Sequence, residues 1–227
     1  MVELIYLYKI LSLGFSYPDE KTWALLEKHM SMFPGLSEGE TLTRLARFKE
    51  CFMENRRRLD NLRSEYLSLF DVGREISPYE TEYMREKVSR KPFELADIAG
   101  FYTAFGFAVH ENMQNKEALD HITIELEFMA ILAWKEAYAT ERNQDENAKI
   151  VQDARIKFFK EHLGQWGFFF SKRIAEQADD GFFNRLAWLL ERTLNLECRR
   201  YSLDASFFDK ELNKDPYEGV RGESLIC

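Results

Sequence analysis

Residues 115–138 read Asn115-Lys-Glu-Ala-Leu-Asp120-His121-Ile-Thr-Ile-Glu125-Leu-Glu-Phe-Met-Ala-Ile-Leu-Ala-Trp134-Lys-Glu-Ala-Tyr138, with neither Gly nor Pro. Ile122, Leu126, Met129 and Ala133 recur at steps of four, three and four, the spacing of one helical face. From Phe128 to Trp134 every residue is apolar, which predicts a helix half buried on all sides. The opening half is polar: His121 and Glu125 share a face, and Asp120 lies beside them. Two bland readings compete there, an acid answering the helix dipole and an ordinary surface pair. A partly exposed pair of this kind contributes only about 0.3–1 kcal/mol. If Asp120 and His121 serve binding more than folding, Asp120→Ala and His121→Ala should therefore melt within a few degrees of the parent. Glu117, His121 and Glu125 also stand at steps of four, but a closed metal site needs about four ligands and no second His/Cys cluster supplies the rest. No metal is expected.

Outward from that stretch the chain reads as helices almost throughout. Leu4, Leu7, Tyr8, Leu11 and Phe15 mark a first amphipathic helix, broken at Tyr17-Pro18-Asp19. Trp23, Leu26, Met30 and Phe33 mark a second, ended by Pro34-Gly35. Ser37, with Glu40 three residues on, suggests a capping box opening one long third helix that runs to Phe70 and closes at Asp71-Val72-Gly73. Residues 71–93, with Gly73, Pro78 and Pro92, are irregular, with a helical turn or two between Tyr79 and Val88. Helical spacing resumes over Glu94–Val109, where Gly106 ends the helix or permits a close approach. It continues over Glu146–Gln177, weakened by Gly164 and Gly167, and over Asp180–Tyr201. The expected fold class is all-α: one large helical domain of two subdomains, 1–70 and 94–203, joined by an irregular hinge loop at 71–93, with a frayed or docked tail at 204–227.

Composition narrows the function. In 227 residues, 45% apolar and 15% aromatic, the chain can bury a substantial core, and nineteen Phe and ten Tyr suit irregular gaps between helices. A formal charge of −8 argues against nucleic acid as a partner and suits a cationic one. The longest wholly apolar run falls far short of a membrane span, so no stable membrane insertion is expected. Cys51, Cys198 and Cys227 show no CxxC spacing and are expected as free thiols in a reducing cytoplasm. The start of the chain carries neither a secretory pattern nor paired arginines, which agrees with a cytoplasmic location. There is no nucleophile elbow, phosphate loop or HExxH, so the chain reads as a binding protein without a cofactor, not as an enzyme. A helical metal-dependent hydrolase is the competing class, and it lacks a ligand set.

Five fragments, in order, resemble the signatures of the TorD/DmsD/NarJ family of molybdoenzyme-maturation chaperones. Asp120-His121 with Glu125-Leu126 resembles its Asp-His-x-x-x-Glu-Leu, although Leu119 stands where the family often has Pro. Tyr66 to Phe70 resembles Tyr-x-x-Leu-Phe, and Pro78-Tyr79-Glu80-Thr81-Glu82-Tyr83 resembles Pro-Tyr-Glu-Ser-x-Tyr. Phe101 to Phe107 resembles Phe-Tyr-x-x-Phe-Gly-Leu, and His162-Leu163-x-x-Trp166 resembles His-Leu-x-x-Trp. The resemblance implies a cytoplasmic chaperone that binds the catalytic subunit of a molybdopterin oxidoreductase through its N-terminal, twin-arginine-type signal peptide while the cofactor is inserted. A NarJ-like assembly factor for a non-exported subunit is the alternative. It also implies a monomer or a dimer swapped through the hinge. Tyr79, Glu80, Tyr83, Gly106, Asp120, His121 and Glu125 are then the candidate peptide-binding residues. An acidic strip of Glu111, Glu117, Asp120, Glu125 and Glu127 beside an aromatic loop complements paired arginines followed by apolar residues.

Overall fold

A computed structural model describes residues 1–33, 40–55, 58–71, 76–83, 87–108 and 118–210. In chain order the helices are α1 (Val2–Gly14), α2 (Glu20–Met32), α3 (Glu40–Asn55), α4 (Leu59–Phe70), α5 (Lys87–Ala104), α6 (Ile122–Glu141), α7 (Asp145–Phe158), α8 (Gly164–Gln177), α9 (Phe182–Arg200) and α10 (Ala205–Lys210). A short 3₁₀ turn, Glu80–Tyr83, precedes α5, and a π turn, Phe159–Leu163, joins α7 to α8. No strand occurs among the described residues, which bears out the all-α reading; a single antiparallel bridge pairs Tyr79 with His121.

Helix α6 is the axle. Leu126, Phe128, Met129, Leu132 and Ala133 are wholly enclosed, and α1 and α7 lie along it. Helix α9 packs against α8 and α3, and α1 also reaches α9. Helices from both halves of the chain therefore enclose one continuous apolar core, from Leu7 and Phe48 to Leu190 and Leu194. Its most buried charge is paired. Arg155 donates to Glu136 Oε2 at 3.0 Å and to Glu197 Oε2 at 2.6 Å, tying α6, α7 and α9 together. Breaking such a buried pair from one side is costly, because the remaining charge stays desolvated.

Several boundaries differ from the sequence expectation. The long third helix is two, α3 and α4, with Arg58 at the position before the second and no side-chain cap there; the proposed Ser37 cap and Val72-Gly73 lie outside the described residues. Helix α5 begins at Lys87, so the end of the supposed hinge is helical and Pro92 lies inside α5 at an exposed position. Pro removes one backbone donor, a modest loss where the freed carbonyl can turn to water. The central helix starts at Ile122, not near residue 115. Trp134 is not buried on all sides: it is 52% exposed and stacks on Tyr138. Positions 127, 131, 134, 138 and 141 form the outward stripe of α6 at alternating steps of four and three, and none of them is buried. An unbroken apolar run cannot reveal which of its members faces outward. Within the described part of the tail, 204–210, Phe208 packs on Phe159 and Phe168.

Candidate functional site

The polar opening of α6 is where the chain's irregular segments meet. His121 has extended backbone and caps the helix, its Nδ1 accepting the Thr123 amide at 3.3 Å, while the Thr123 hydroxyl lies 2.7 Å from the same nitrogen. With Nδ1 accepting, the ring proton sits on Nε2 in the neutral form. Asp, Asn, Ser and Thr are the usual caps, so an imidazole here is a departure. The turn before it is clamped to the segment 76–83 by two backbone bonds, Glu80 N–H to Asp120 O at 2.9 Å and Ile122 N–H to Pro78 O at 2.8 Å. These are the bonds of the Tyr79–His121 bridge, and the two rings meet edge to face. Asp120 completes the clamp: its Oδ2 accepts from the Thr81 hydroxyl at 2.6 Å and the Thr81 amide at 3.2 Å.

Behind this clamp lies a chain of buried carboxyls. Trp166 Nε1–H donates to Glu125 Oε2 at 3.2 Å, and Tyr83 stacks on the Trp166 ring. The carboxyls of Glu125 and Glu80 lie close to each other, and two neighbouring buried carboxyls disfavour being charged together. Burial, and then the charge of Glu80, push Glu125 well above the usual carboxylate range. Burial also raises Glu80, with His162 pulling back. His162 Nδ1 lies 3.2 Å from Glu80 Oε1 and its Nε2 lies 3.2 Å from Asp97 Oδ2. Burial lowers this imidazole, but Glu80 and Asp97 more than offset it, so its pKa is raised and the charged form favoured. The π turn aims His162 inward. Gly164 is required there, because a Cβ would fall 2.5 Å from the Phe159 carbonyl oxygen that the turn displaces.

Six of the seven residues singled out from sequence thus come together: Tyr79, Glu80, Tyr83, Asp120, His121 and Glu125. Their expected exposure is corrected. Glu80, Asp120 and His121 are 1% exposed and Glu125 is fully enclosed. Only the half-buried Tyr79 and Tyr83 reach the surface. Gly106 stands apart and is exposed. It adopts φ +65° and ends α5 in a Schellman arrangement, with Gly106 N–H to Thr103 O and Phe107 N–H to Tyr102 O. It reaches the cluster through Tyr102, whose hydroxyl donates to Leu119 O. The acidic strip is not a surface feature among the described residues: Asp120 and Glu125 face inward, Glu127 pairs with Lys9 at 2.6 Å, and Glu111 and Glu117 lie outside them. Sequence reasoning left Thr81, Asp97, His162 and Trp166 out of the site, although the His-Leu-x-x-Trp fragment was a usable signal for two of them.

Among the described residues no cysteine stands beside these groups: the free thiols Cys51 and Cys198 lie elsewhere, burial pushing Cys198 up to about 12. No helix among the described residues is long and apolar enough to cross a membrane.

Residues 37–171 match the family model described as nitrate reductase delta subunit. The chlorate reductase assembly chaperone protein of Ideonella dechloratans is 29% identical over 162 residues, 70% of each chain. The perchlorate reductase assembly chaperone protein of Dechloromonas aromatica (strain RCB) is 28% identical over 199 residues, 82% of this chain and 84% of that one. The selenate reductase assembly chaperone protein of Thauera selenatis is 27% identical over 178 residues, 77% and 78% of the two chains. A crystal structure assigned as a redox enzyme maturation protein from Archaeoglobus fulgidus has the same fold, with a TM-score of 0.54 and 22% identity over 84% of this chain and 93% of its own.

Proposed function

The chain belongs to the nitrate reductase delta subunit family, and from that premise we propose that it is an assembly chaperone, not a catalyst, for a molybdopterin oxidoreductase subunit in the cytoplasm. The observation that carries this is the agreement of three relatives, each matched over most of both chains and each named an assembly chaperone of a reductase. The polar cluster fits the reading, since it gathers carboxyls and aromatics and its Thr81 hydroxyl is held by Asp120 rather than by a base such as histidine. Co-expression tests it: the client subunit produced with this chain should carry its molybdopterin, and without it should be depleted. Equal cofactor content in both would refute the role.

The recognised part of the client is its N-terminal segment, a twin-arginine signal or, in a client that is not exported, its remnant. Tyr79 and Tyr83 form the accessible rim, and Asp120 and Glu125 are the acceptors behind it. Guanidinium can reach them once residues 79–83 part from the helix start and its N–H groups replace the Thr81 donors. Tyr79 and His121 are a non-hydrogen-bonded antiparallel pair, with Cα atoms about 4.5 Å apart. A Tyr79→Cys/His121→Cys disulfide would hold the clamp shut. Peptide binding should vanish in the oxidised variant and return on reduction. It should also weaken with ionic strength and when both arginines become lysines. An oxidised variant that binds as well as the reduced one would put recognition elsewhere.

A further inference from the structure

We infer that Glu80, Glu94 and His162 form a binding site for one divalent transition-metal ion of the zinc type. One ligand atom from each, two carboxylate oxygens and an imidazole nitrogen, lie within 4.8 Å of one another. They come from three elements, the 3₁₀ turn, α5 and the π turn, with Glu80 and His162 buried and Glu94 half-buried. A π turn is an irregular and less stable way to join two helices, and such turns gather at functional sites. Here it is what points His162 at the carboxyls.

A second observation is independent of that spacing. Glu125 Oε1 is buried and meets no donor from any side chain or backbone group, and its carboxyl lies against that of Glu80. Three carboxyls, Glu80, Glu94 and the exposed Asp97, gather around His162, and Glu125 lies beside Glu80; Arg90 touches Glu94 from the exposed side at 3.0 Å. A buried carboxyl oxygen without a donor, as Glu125 Oε1 is beside Glu80, is unfavourable unless a proton or a cation lies nearby. An ion held at about 2.0–2.2 Å from each ligand sets the ligand atoms roughly 3.3–3.6 Å apart, so the three groups need to close by about 1 Å. Glu94, half-buried near the exposed start of α5, can supply that movement.

Mixed imidazole and carboxylate ligation suits zinc, iron or nickel, whereas calcium and magnesium favour six or more oxygens. Three protein ligands leave a coordination position for water or for a donor from a partner. An ion here would pin the segment carrying Tyr79–Tyr83 to α5 and to the start of α8. This site is unlike the Glu117-His121-Glu125 spacing dismissed from sequence: His121 turns its Nδ1 to its own helix, and His162 lies 82 residues from Glu80.

The inference stands apart from the chaperone reading, because its test needs no client. Chelator-treated full-length protein is titrated with zinc chloride by calorimetry and with cobalt(II) by visible absorption. One equivalent should bind, raise the melting temperature, and with cobalt give ligand-field bands. Glu94→Gln, half-buried and expected to keep its circular-dichroism spectrum, should weaken zinc at least about tenfold, comparable to removing a supporting group of a metal site. It should also lose the thermal shift. His162→Gln should lose the cobalt bands. No binding at high micromolar zinc, or equal affinity in the parent and Glu94→Gln, would overturn the assignment; in the second case the ion sits elsewhere, for example on the thiols.

Discussion

Replacing Asp120 tests whether the clamp at the start of α6 is structural as well as functional. Its Oδ2 holds the Thr81 hydroxyl at 2.6 Å and the Thr81 amide at 3.2 Å, and both residues are closed to solvent. Hydrogen bonds to a charged group are worth about 1.5–3 kcal/mol each, and a buried donor left without an acceptor costs about 1–3 kcal/mol. Against this, Asp120 repels Glu125, and removing it relieves that strain. The net expectation for Asp120→Ala is a loss of about 2–4 kcal/mol, or roughly 5–15 °C in Tm for a chain of this length. That is well above the few degrees expected of an exposed pair. Urea denaturation of Asp120→Ala, Thr81→Val and the double variant isolates the contact. Thr81→Val keeps the amide donor, so the coupling should be about 1–2 kcal/mol, the share of the hydroxyl alone. Single-variant losses that add to within about 0.5 kcal/mol would refute the clamp, as would an Asp120→Ala protein that melts with the parent.

Gly164→Ala would drive a Cβ to 2.5 Å from the Phe159 carbonyl, and should cost about 1–3 kcal/mol by thermal denaturation; a neutral result would mean that the π turn relaxes freely. Leu126, wholly enclosed on the face of α6 towards the core, should lose about 2–5 kcal/mol as Leu126→Ala in the same assay. Glu65 is raised above the usual carboxylate range by burial and then by Asp179, so the folded state binds its proton more tightly than the unfolded chain. Its penalty is absent below the unfolded value and grows as pH rises through that value toward the folded one. Glu65→Gln should therefore be more stable than the parent at neutral pH and lose that advantage in acid. An unchanged difference across a pH series of chemical denaturation would show that Glu65 does not carry it.

Helical periodicity alone determined that the chain is all-α, because a 3.6-residue repeat of Leu, Ile and Phe has no other way to bury its apolar side. The same repeat located α1, α2 and α9 to within a few residues, read α7, the π turn and α8 as one helix with the right outer ends, and identified Leu126, Met129 and Ala133 as core. The resemblance of its motifs to a known family grouped Asp120, His121, Glu125 and the Tyr79–Tyr83 segment as candidates for one site. What periodicity could not reach were effects that depend on neighbours distant in sequence. Trp134 sits in an apolar run yet faces out, because the choice of face belongs to α1 and α7 rather than to α6. Pro92 and the π turn were hidden because both break the local rule that reads a helix, and tertiary packing sustains them. Only the tertiary structure decided that the acidic groups are enclosed. Charge is solvated wherever water can reach it, and whether water reaches Asp120, Glu125 or Glu80 depends on a clamp from forty residues upstream and a histidine and tryptophan from forty residues downstream of Glu125.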